Sequence, residues 1–184
     1  MRILAVSGSL REGSLNTALA RAAAEVAPAD VEVELFDGLA VLPPFDADLD
    51  AAGASASVER LREAIAEADA VLIVTPEYNG SIPGVLKNAI DWASRPHRVS
   101  ALWGKTVAVA GASPGAYGAL WAQNDLRRVL GIAGARVVEG DLAVAKANEV
   151  VDETGRVVDE SVRRRLRERV DLLAEWSQPE LVAA

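Results

Sequence analysis

The chain has 184 residues, a formal net charge of −8, no cysteine, and a hydrophobic content of 51% with few aromatic side chains. This length favours a single domain, residues 1–184, whose core is built mostly from Val, Leu, Ile and Ala. The lack of cysteine excludes disulfides, thiolate zinc sites and cysteine nucleophiles, and the acidic charge opposes non-specific binding to nucleic acid. No apolar stretch approaches the ~18 residues of a membrane span, so we expect a cytoplasmic protein with neither a membrane nor a nucleic-acid partner.

In chain order, short apolar runs alternate with stretches of helical periodicity. The segment 36–57 predicts no regular structure, and its low-complexity part, 46–57, indicates a mobile loop. The remaining pattern predicts strands at 3–6, 31–35, 70–75, 106–110 and 135–138, and helices at 15–27, 58–68, 84–93, 116–132 and 161–176.

Strands that alternate with helices of ten or more residues predict a parallel sheet with helices on both faces, an α/β fold of three layers. In such folds ligands bind at the carboxyl ends of the strands, near the point where the strand order reverses. The loops after the first, third and fourth strands, 7–16, 76–83 and 111–118, meet at that edge and are the richest in Gly, Ser, Asn and Pro. Together they predict one binding site.

The first of these loops, SGSLREGSLNT, has the composition of a phosphate site. The start of a helix offers unpaired backbone N–H groups and a partial positive charge, and Arg11 adds a forked cation suited to phosphate oxygens. Gly8 and Gly13 let the backbone approach a ligand. An ordinary helix cap on a flexible loop is the alternative interpretation. The further hydroxyl and amide donors are Ser7, Ser9, Ser14, Asn16 and Thr17.

Other phosphate-binding and phosphate-transfer motifs do not fit this loop. It lacks the Gly-Lys-Ser/Thr ending of a P-loop and the glycine spacing of the dinucleotide fingerprint. A response-regulator receiver would carry an acidic pair after the first strand, where this chain has Ser7-Gly8-Ser9.

Two motifs resemble those of the NAD(P)H-dependent FMN reductases of flavodoxin-like fold, which include bacterial quinone and chromate reductases. The second motif, PEYNxSxPxxLKNAIDW, is matched along the whole stretch 76–92, and a weaker third element is the small-residue loop 112–115. The resemblance covers about residues 2–138. The first motif, GSxRxxSxN, is matched by Gly8, Ser9, Arg11, Ser14 and Asn16.

The resemblance implies a five-stranded parallel sheet in the order 2-1-3-4-5 and non-covalently bound FMN. It also implies a homodimer or homotetramer with the flavin near a subunit interface. It places the phosphate on Ser9, Arg11, Ser14, Leu15 and Asn16, the isoalloxazine ring against Pro76, Glu77, Tyr78 and Asn79, and the other side of the flavin beside Ser113 and Gly115.

The activity that this resemblance implies is the passage of two electrons from NADPH or NADH through FMN to a quinone or similar acceptor, which we expect to follow a ping-pong mechanism. The cofactor carries the chemistry in such enzymes, and no catalytic side chain is expected. Backbone amides of the stretch from Glu77 to Gly80 are expected to donate to the pyrimidine end of the ring, where negative charge grows on reduction. A flavodoxin that only carries electrons, and a module that has lost its flavin, are the alternatives.

Four other features have plainer interpretations. His97, the only histidine, has no neighbouring ligand set and predicts no metal site. The arginines of the segment 162–170 lie mostly off its apolar stripe, which favours a solvated helix face over a nucleic-acid patch. Tyr117 is expected near a partner's flavin. The core or an interface is expected to hold Trp92, Trp103, Trp121 and Trp176.

Overall fold

The structure, a computed structural model, describes residues 1–178. Its strands are β1 (Arg2–Ser7), β2 (Glu32–Phe36), β3 (Ala70–Thr75), β4 (Thr106–Ala112), β5 (Arg136–Val137) and β6 (Ala143–Val144). Its helices are α1 (Leu15–Val26), α2 (Ala47–Ala52), α3 (Ala56–Glu67), α4 (Gly84–Ala93), α5 (Leu120–Ile132), α6 (Ala147–Val150) and α7 (Glu160–Trp176), and a 3₁₀ turn spans Leu39–Val41.

The strands form one parallel sheet in the order β2-β1-β3-β4-β5, with β6 also paired to β4. This is the flavodoxin-like order, so the expected fold class and strand order are confirmed. Because β1 lies between β2 and β3, the strand order reverses there. In register, Ser7 is opposite Val74, and Thr75 is opposite Gly111. The loops that follow β1, β3 and β4 therefore leave the sheet at nearly the same level.

Each face of the sheet carries its own apolar core. Helices α1 and α7 cover one face, where Leu19 and Leu166 are buried, and α3, α4 and α5 cover the other, where Trp92 and Leu126 are buried. Every residue of β3 and of β4 is buried, as expected for central parallel strands covered on both faces. The two layers of helices hold the sheet rigid beneath its carboxyl edge.

The segment 36–57 is more regular than expected, and the prediction that it has no regular structure was wrong. It contains the 3₁₀ turn and α2, which Asp46 caps by accepting a bond from the backbone N–H of Asp48 at 2.8 Å. The backbone N–H of Phe45 donates to Asn88 Oδ1 at 2.7 Å, and the Pro43 carbonyl accepts from both Asn88 and Trp92. The segment is therefore fastened to α4 by side chains of the second motif.

The fifth strand is shorter than the predicted 135–138. The Val138 N–H still donates to the Val107 carbonyl of β4 at 2.8 Å, and beyond it Arg127 binds the Val138 carbonyl at 2.8 Å and Arg169 binds that of Glu139 at 2.6 Å. The later strand β6 then continues the pairing along β4. Arg169 is buried, so it departs from the solvated helix face expected for 162–170, and burial lowers the pKa of its guanidinium.

Helix α5 begins four residues later than predicted. Gly118 and Ala119 both have left-handed backbone conformations, with φ of 58° and 62°, so residues 116–119 form a turn rather than a first helical turn. A Cβ atom on Gly118 would lie 2.6 Å from the backbone N of Val144. The loop after β4 is thus packed tightly on β6 before α5 starts.

Candidate functional site

The loops after β1 and β3 pack directly on each other. The backbone N–H of Gly8 donates to the Val74 carbonyl at 2.8 Å. A Cβ atom on Gly8 would lie 2.9 Å from a methyl carbon of Leu86 and 3.3 Å from Pro76 Cδ. Glycine at this position therefore allows the first loop to cross the start of the second motif without a side chain between them.

The hydroxyl groups of the first loop divide into inward and outward sets. Ser14 is buried and caps α1, since its Oγ accepts from the backbone N–H of Thr17 at 3.3 Å. The Thr17 and Ser7 hydroxyls are bonded to each other at 2.8 Å. Ser9 is partly exposed, and its Oγ accepts from the Arg11 backbone at 3.3 Å. The Ser7, Ser14 and Thr17 hydroxyls hold the loop in shape, and Ser9 stands towards its open side.

Asn16 has a role that its sequence position did not indicate. Its side chain is buried, with Nδ2 donating to the Ala112 carbonyl at 3.1 Å and Oδ1 accepting from the Ala112 backbone N–H at 2.9 Å. The amide group expected to bind phosphate is instead bonded to the end of β4. Asn16 thereby joins the loop after β1 to the loop after β4.

Arg11 and Arg21 are exposed cations beside this loop. Within residues 1–178 neither guanidinium makes an ion pair or a hydrogen bond. Both line a cleft of about 340 Å³ together with Ser9 and Thr17. Arg11 precedes the N-terminus of α1 and Arg21 lies further along the helix, and on an acidic chain this positive charge favours an anionic ligand in the cleft.

The loop after β3 contains a tight turn. Tyr78 and Ser81 exchange two backbone hydrogen bonds, of 3.0 and 3.1 Å, across Asn79 and Gly80. The φ angles of these two central residues are 53° and 75°, the positive pair that a type I′ turn requires. The turn uses the Tyr78 amide, whereas the amides of Glu77, Asn79 and Gly80 make no hydrogen bond within the described part of the chain. Three of the four amides expected to face a ring are therefore available.

The side chains of this loop reach across to α5, a contact that the sequence did not indicate. Glu77 Oε2 accepts from the backbone N–H of Ala122 at 3.1 Å, and the Ser81 hydroxyl donates to Asp125 Oδ2 at 2.5 Å. Arg128 donates to the other oxygen of Asp125 at 2.6 Å. The hydrogen bonds from Ser81 and then Arg128 lower the pKa of Asp125 below its ordinary value. Glu77 thus contributes its backbone to the site edge while its carboxylate points to the helix.

The loop after β4 completes the edge. Ser113 is partly exposed; its backbone N–H donates to Val144, and its Oγ accepts from the backbone N–H of Gly115 at 3.1 Å. Tyr117 and Trp121 follow, with ring centroids 4.8 Å apart and with 60% and 52% of their surfaces exposed. Small residues therefore border the site, and an exposed aromatic pair lies beside it.

The other tryptophans and the histidine lie away from this edge. Trp92 is in the core and Trp176 is partly buried, whereas Trp103 is 46% exposed and packs edge-on against His97. Within residues 1–178, no three side chains of His, Cys, Asp or Glu come together as metal ligands would. Across the same residues, no helix combines the length and the apolarity needed to cross a membrane.

The available donors fit FMN in chemistry and in position. A phosphate could be bound by the Arg11 guanidinium, the partly exposed Ser9 hydroxyl and the N-terminus of α1. The free amides of Glu77, Asn79 and Gly80, one loop further along the sheet, suit the polar edge of a planar ring. The fold and this donor set are those of a flavodoxin-like protein with a candidate FMN site at the switch point of its sheet.

Comparison with known proteins identifies the family. The sequence model of the NADPH-dependent FMN reductases matches residues 1–149. An NAD(P)H-dependent FMN reductase of Pseudomonas aeruginosa is 39% identical over 96% of this chain and 95% of its own. A quinone reductase of Escherichia coli is 39% identical over 97% and 96%. The structure of FerB, a flavoenzyme NAD(P)H:(acceptor) oxidoreductase from Paracoccus denitrificans, superposes with a TM-score of 0.83 at 38% identity, covering 96% of both chains.

The chain therefore belongs to the NADPH-dependent FMN reductase family. It is an oxidoreductase that uses FMN as cofactor and a reduced nicotinamide as co-substrate. The resemblance seen in the two sequence motifs is confirmed.

Proposed function

We propose that this protein transfers two electrons from NADPH or NADH to a quinone or a similar electrophilic acceptor by a ping-pong mechanism. The observation that carries the proposal is the pairing of a phosphate site at α1 with free amides on the turn after β3, at one edge of the sheet. The E. coli relative is named as a quinone reductase, which supports a quinone as acceptor. In the overall reaction the nicotinamide loses a hydride, and the quinone gains the two electrons and one proton of that hydride together with one proton from solvent to become a hydroquinone.

The chain's own residues bind and orient in this proposal, and none supplies a nucleophile. FMN, when bound, accepts the hydride and passes the electrons on. Arg11, Ser9 and the backbone at the N-terminus of α1 hold the phosphate, and the amides of the turn after β3 donate to the ring. Tyr78, which is 52% exposed, would pack beside the ring. Ser113 and Gly115 would border the opposite side of the flavin.

Initial-rate kinetics test the proposal directly. The purified protein loaded with FMN is expected to oxidise NADPH or NADH in the presence of a benzoquinone, and double-reciprocal plots at several quinone concentrations are expected to be parallel. Parallel lines arise because the oxidised nicotinamide leaves before the quinone binds. Intersecting lines would contradict the ping-pong order, and an absence of NADPH and NADH oxidation would contradict the quinone reductase function itself.

We further propose that the protein works as a homodimer or homotetramer whose interface includes the Tyr117–Trp121 pair. Large exposed aromatic side chains beside a site favour contact with another surface, because each buries a large apolar area. Trp121→Ser is expected to reduce the mass measured by light scattering on a sizing column. Val41→Ser, which changes an isolated exposed apolar residue, is the matched control. An unchanged mass for Trp121→Ser would contradict this interface.

A single domain over residues 1–184 and a cytoplasmic location are also part of this proposal. The shared sheet beneath both cores supports one domain. The absence of cysteine from the sequence is consistent with a reducing compartment.

A further inference from the structure

The turn after β3 cannot hold its shape through its own hydrogen bonds. A two-stranded ribbon is marginal in water at best, and this one has a single residue pair, Tyr78 with Ser81. Asn79 and Gly80 suit a type I′ turn locally, but one residue pair is too short a ribbon to fix the turn against the rest of the fold. The orientation of its free amides therefore depends on contacts from another part of the fold.

Those contacts come from α5 and flank the turn on both sides. Glu77, just before the turn, accepts from the backbone N–H of Ala122, and Ser81, which ends it, donates to Asp125. Ala122 and Asp125 are three positions apart, so they lie on the same face of the helix. We call these two hydrogen bonds the α5 anchor.

The anchor also removes negative charge from the site edge. Ala122 lies in the first turn of α5, where backbone N–H groups lack helical partners and a carboxylate is stabilised. Asp125 is held between the Ser81 hydroxyl and Arg128. Both carboxylates are thus bound on the helix side, and the turn offers amides rather than anions to its open side.

From this arrangement we infer that Glu77 and Asp125 are positioning residues for the oxidoreductase reaction. Through the α5 anchor they orient the amides of Asn79 and Gly80 as fixed donors to the edge of the ring that becomes negative on reduction. This inference rests on the proposed FMN site. Donors that are already oriented stabilise developing charge without any rearrangement during the reaction, so loosening the turn weakens binding of reduced FMN more than that of oxidised FMN.

Two pairs of variants test the anchor. Glu77→Ala and Asp125→Ala remove it, whereas Glu77→Gln and Asp125→Asn keep an acceptor oxygen for the same donor. Asn124→Ala, an exposed change on the same helix, is the matched control. In the full-length protein without FMN, hydrogen exchange at the Tyr78 and Ser81 amides is expected to become several-fold faster in both alanine variants. The Gln, Asn and control variants are expected to retain protection.

The midpoint potential of bound FMN is the second measurement. It distinguishes residues that orient the amide donors from residues that only stabilise the fold. The alanine variants are expected to bind reduced FMN about threefold to tenfold more weakly relative to oxidised FMN, which lowers the potential by about 14–30 mV at 29.6 mV per tenfold change. Glu77→Gln and Asp125→Asn are expected to keep a midpoint potential close to that of the wild type.

Unchanged exchange in the alanine variants would overturn the inference, and so would faster exchange with an unchanged potential. Gln and Asn variants that behave like the alanine variants would overturn it as well. Failure of the wild-type chain to bind FMN would instead contradict the proposed function, and the exchange data on the FMN-free chain would still decide whether α5 holds the turn.

Discussion

Replacement of Arg11 by alanine is expected to weaken FMN binding by about 1–3 kcal/mol, or about 5- to 150-fold. The guanidinium is exposed, and it makes no ion pair within residues 1–178 that a phosphate would have to displace. It lies next to the N-terminus of α1, so the cation and the helix end act on the same oxygens. Titration of the FMN-free protein, followed by the quenching of flavin fluorescence, measures the change.

Two further variants show whether Arg11 acts as a specific ligand. Arg11→Lys keeps the charge but loses the paired donors of the fork, so an intermediate loss of affinity is expected. Arg21→Ala removes the neighbouring unpaired cation on α1 and controls for the general loss of positive charge; a smaller effect is expected. Unchanged affinity in Arg11→Ala would contradict the assignment of this residue to the phosphate, and equal losses in Arg11→Ala and Arg21→Ala would reduce its role to general attraction.

Replacement of Asn16 by alanine is expected to lower the free energy of unfolding by about 2–4 kcal/mol, which for a chain of this size lowers Tm by about 5–15 °C. Both backbone groups of Ala112 lose their partner in a buried position. Affinity for FMN is expected to fall as well, because the loops after β1 and β4 are no longer joined. Calorimetry of the FMN-free protein separates the two effects.

The aspartate variant distinguishes the hydrogen bonds from simple packing. Asn16→Asp preserves the volume and the acceptor for the Ala112 N–H, but it places a carboxylate oxygen against the Ala112 carbonyl. It is therefore expected to be no more stable than Asn16→Ala. Wild-type stability in Asn16→Asp would contradict the role that we assign to the paired bonds, as would a Tm for Asn16→Ala within about 2 °C of wild type.

The central strands and most of the helices were predictable from local pattern, whereas the location of the site stays a prediction. Strand β3 is buried on both faces, and its continuous apolar sequence predicts this burial. The three loops with polar and small residues could be placed together because parallel strands end at one edge. Assignment of individual residues to FMN stays a prediction for all of them: Ser9, Arg11, Ser14, Leu15, Asn16, Thr17, Pro76, Glu77, Tyr78, Asn79, Gly80, Ser113 and Gly115.

The errors fall where a tertiary contact overrode a local pattern. Residues 36–57 look irregular by composition, yet Asn88 and Trp92 supply hydrogen bonds that order the segment from another helix. The fifth strand spans only Arg136–Val137, and just beyond it Arg127 and Arg169 bind the carbonyls of Val138 and Glu139. The sequence of each affected segment does not indicate the distant side chains that bind it.

By itself the sequence determined the family, the order of strands and helices and the residue types at the site edge. Each of these depends on contiguous motifs or on the short-range spacing of apolar residues. Only the tertiary structure decided that the Asn16 side chain binds Ala112, and that Glu77 and Ser81 turn to α5. These partners are 96, 45 and 44 residues apart in the chain. A hydrogen bond depends on positions within about 3 Å, and across such separations those positions are set by the packing of the whole sheet and its helices.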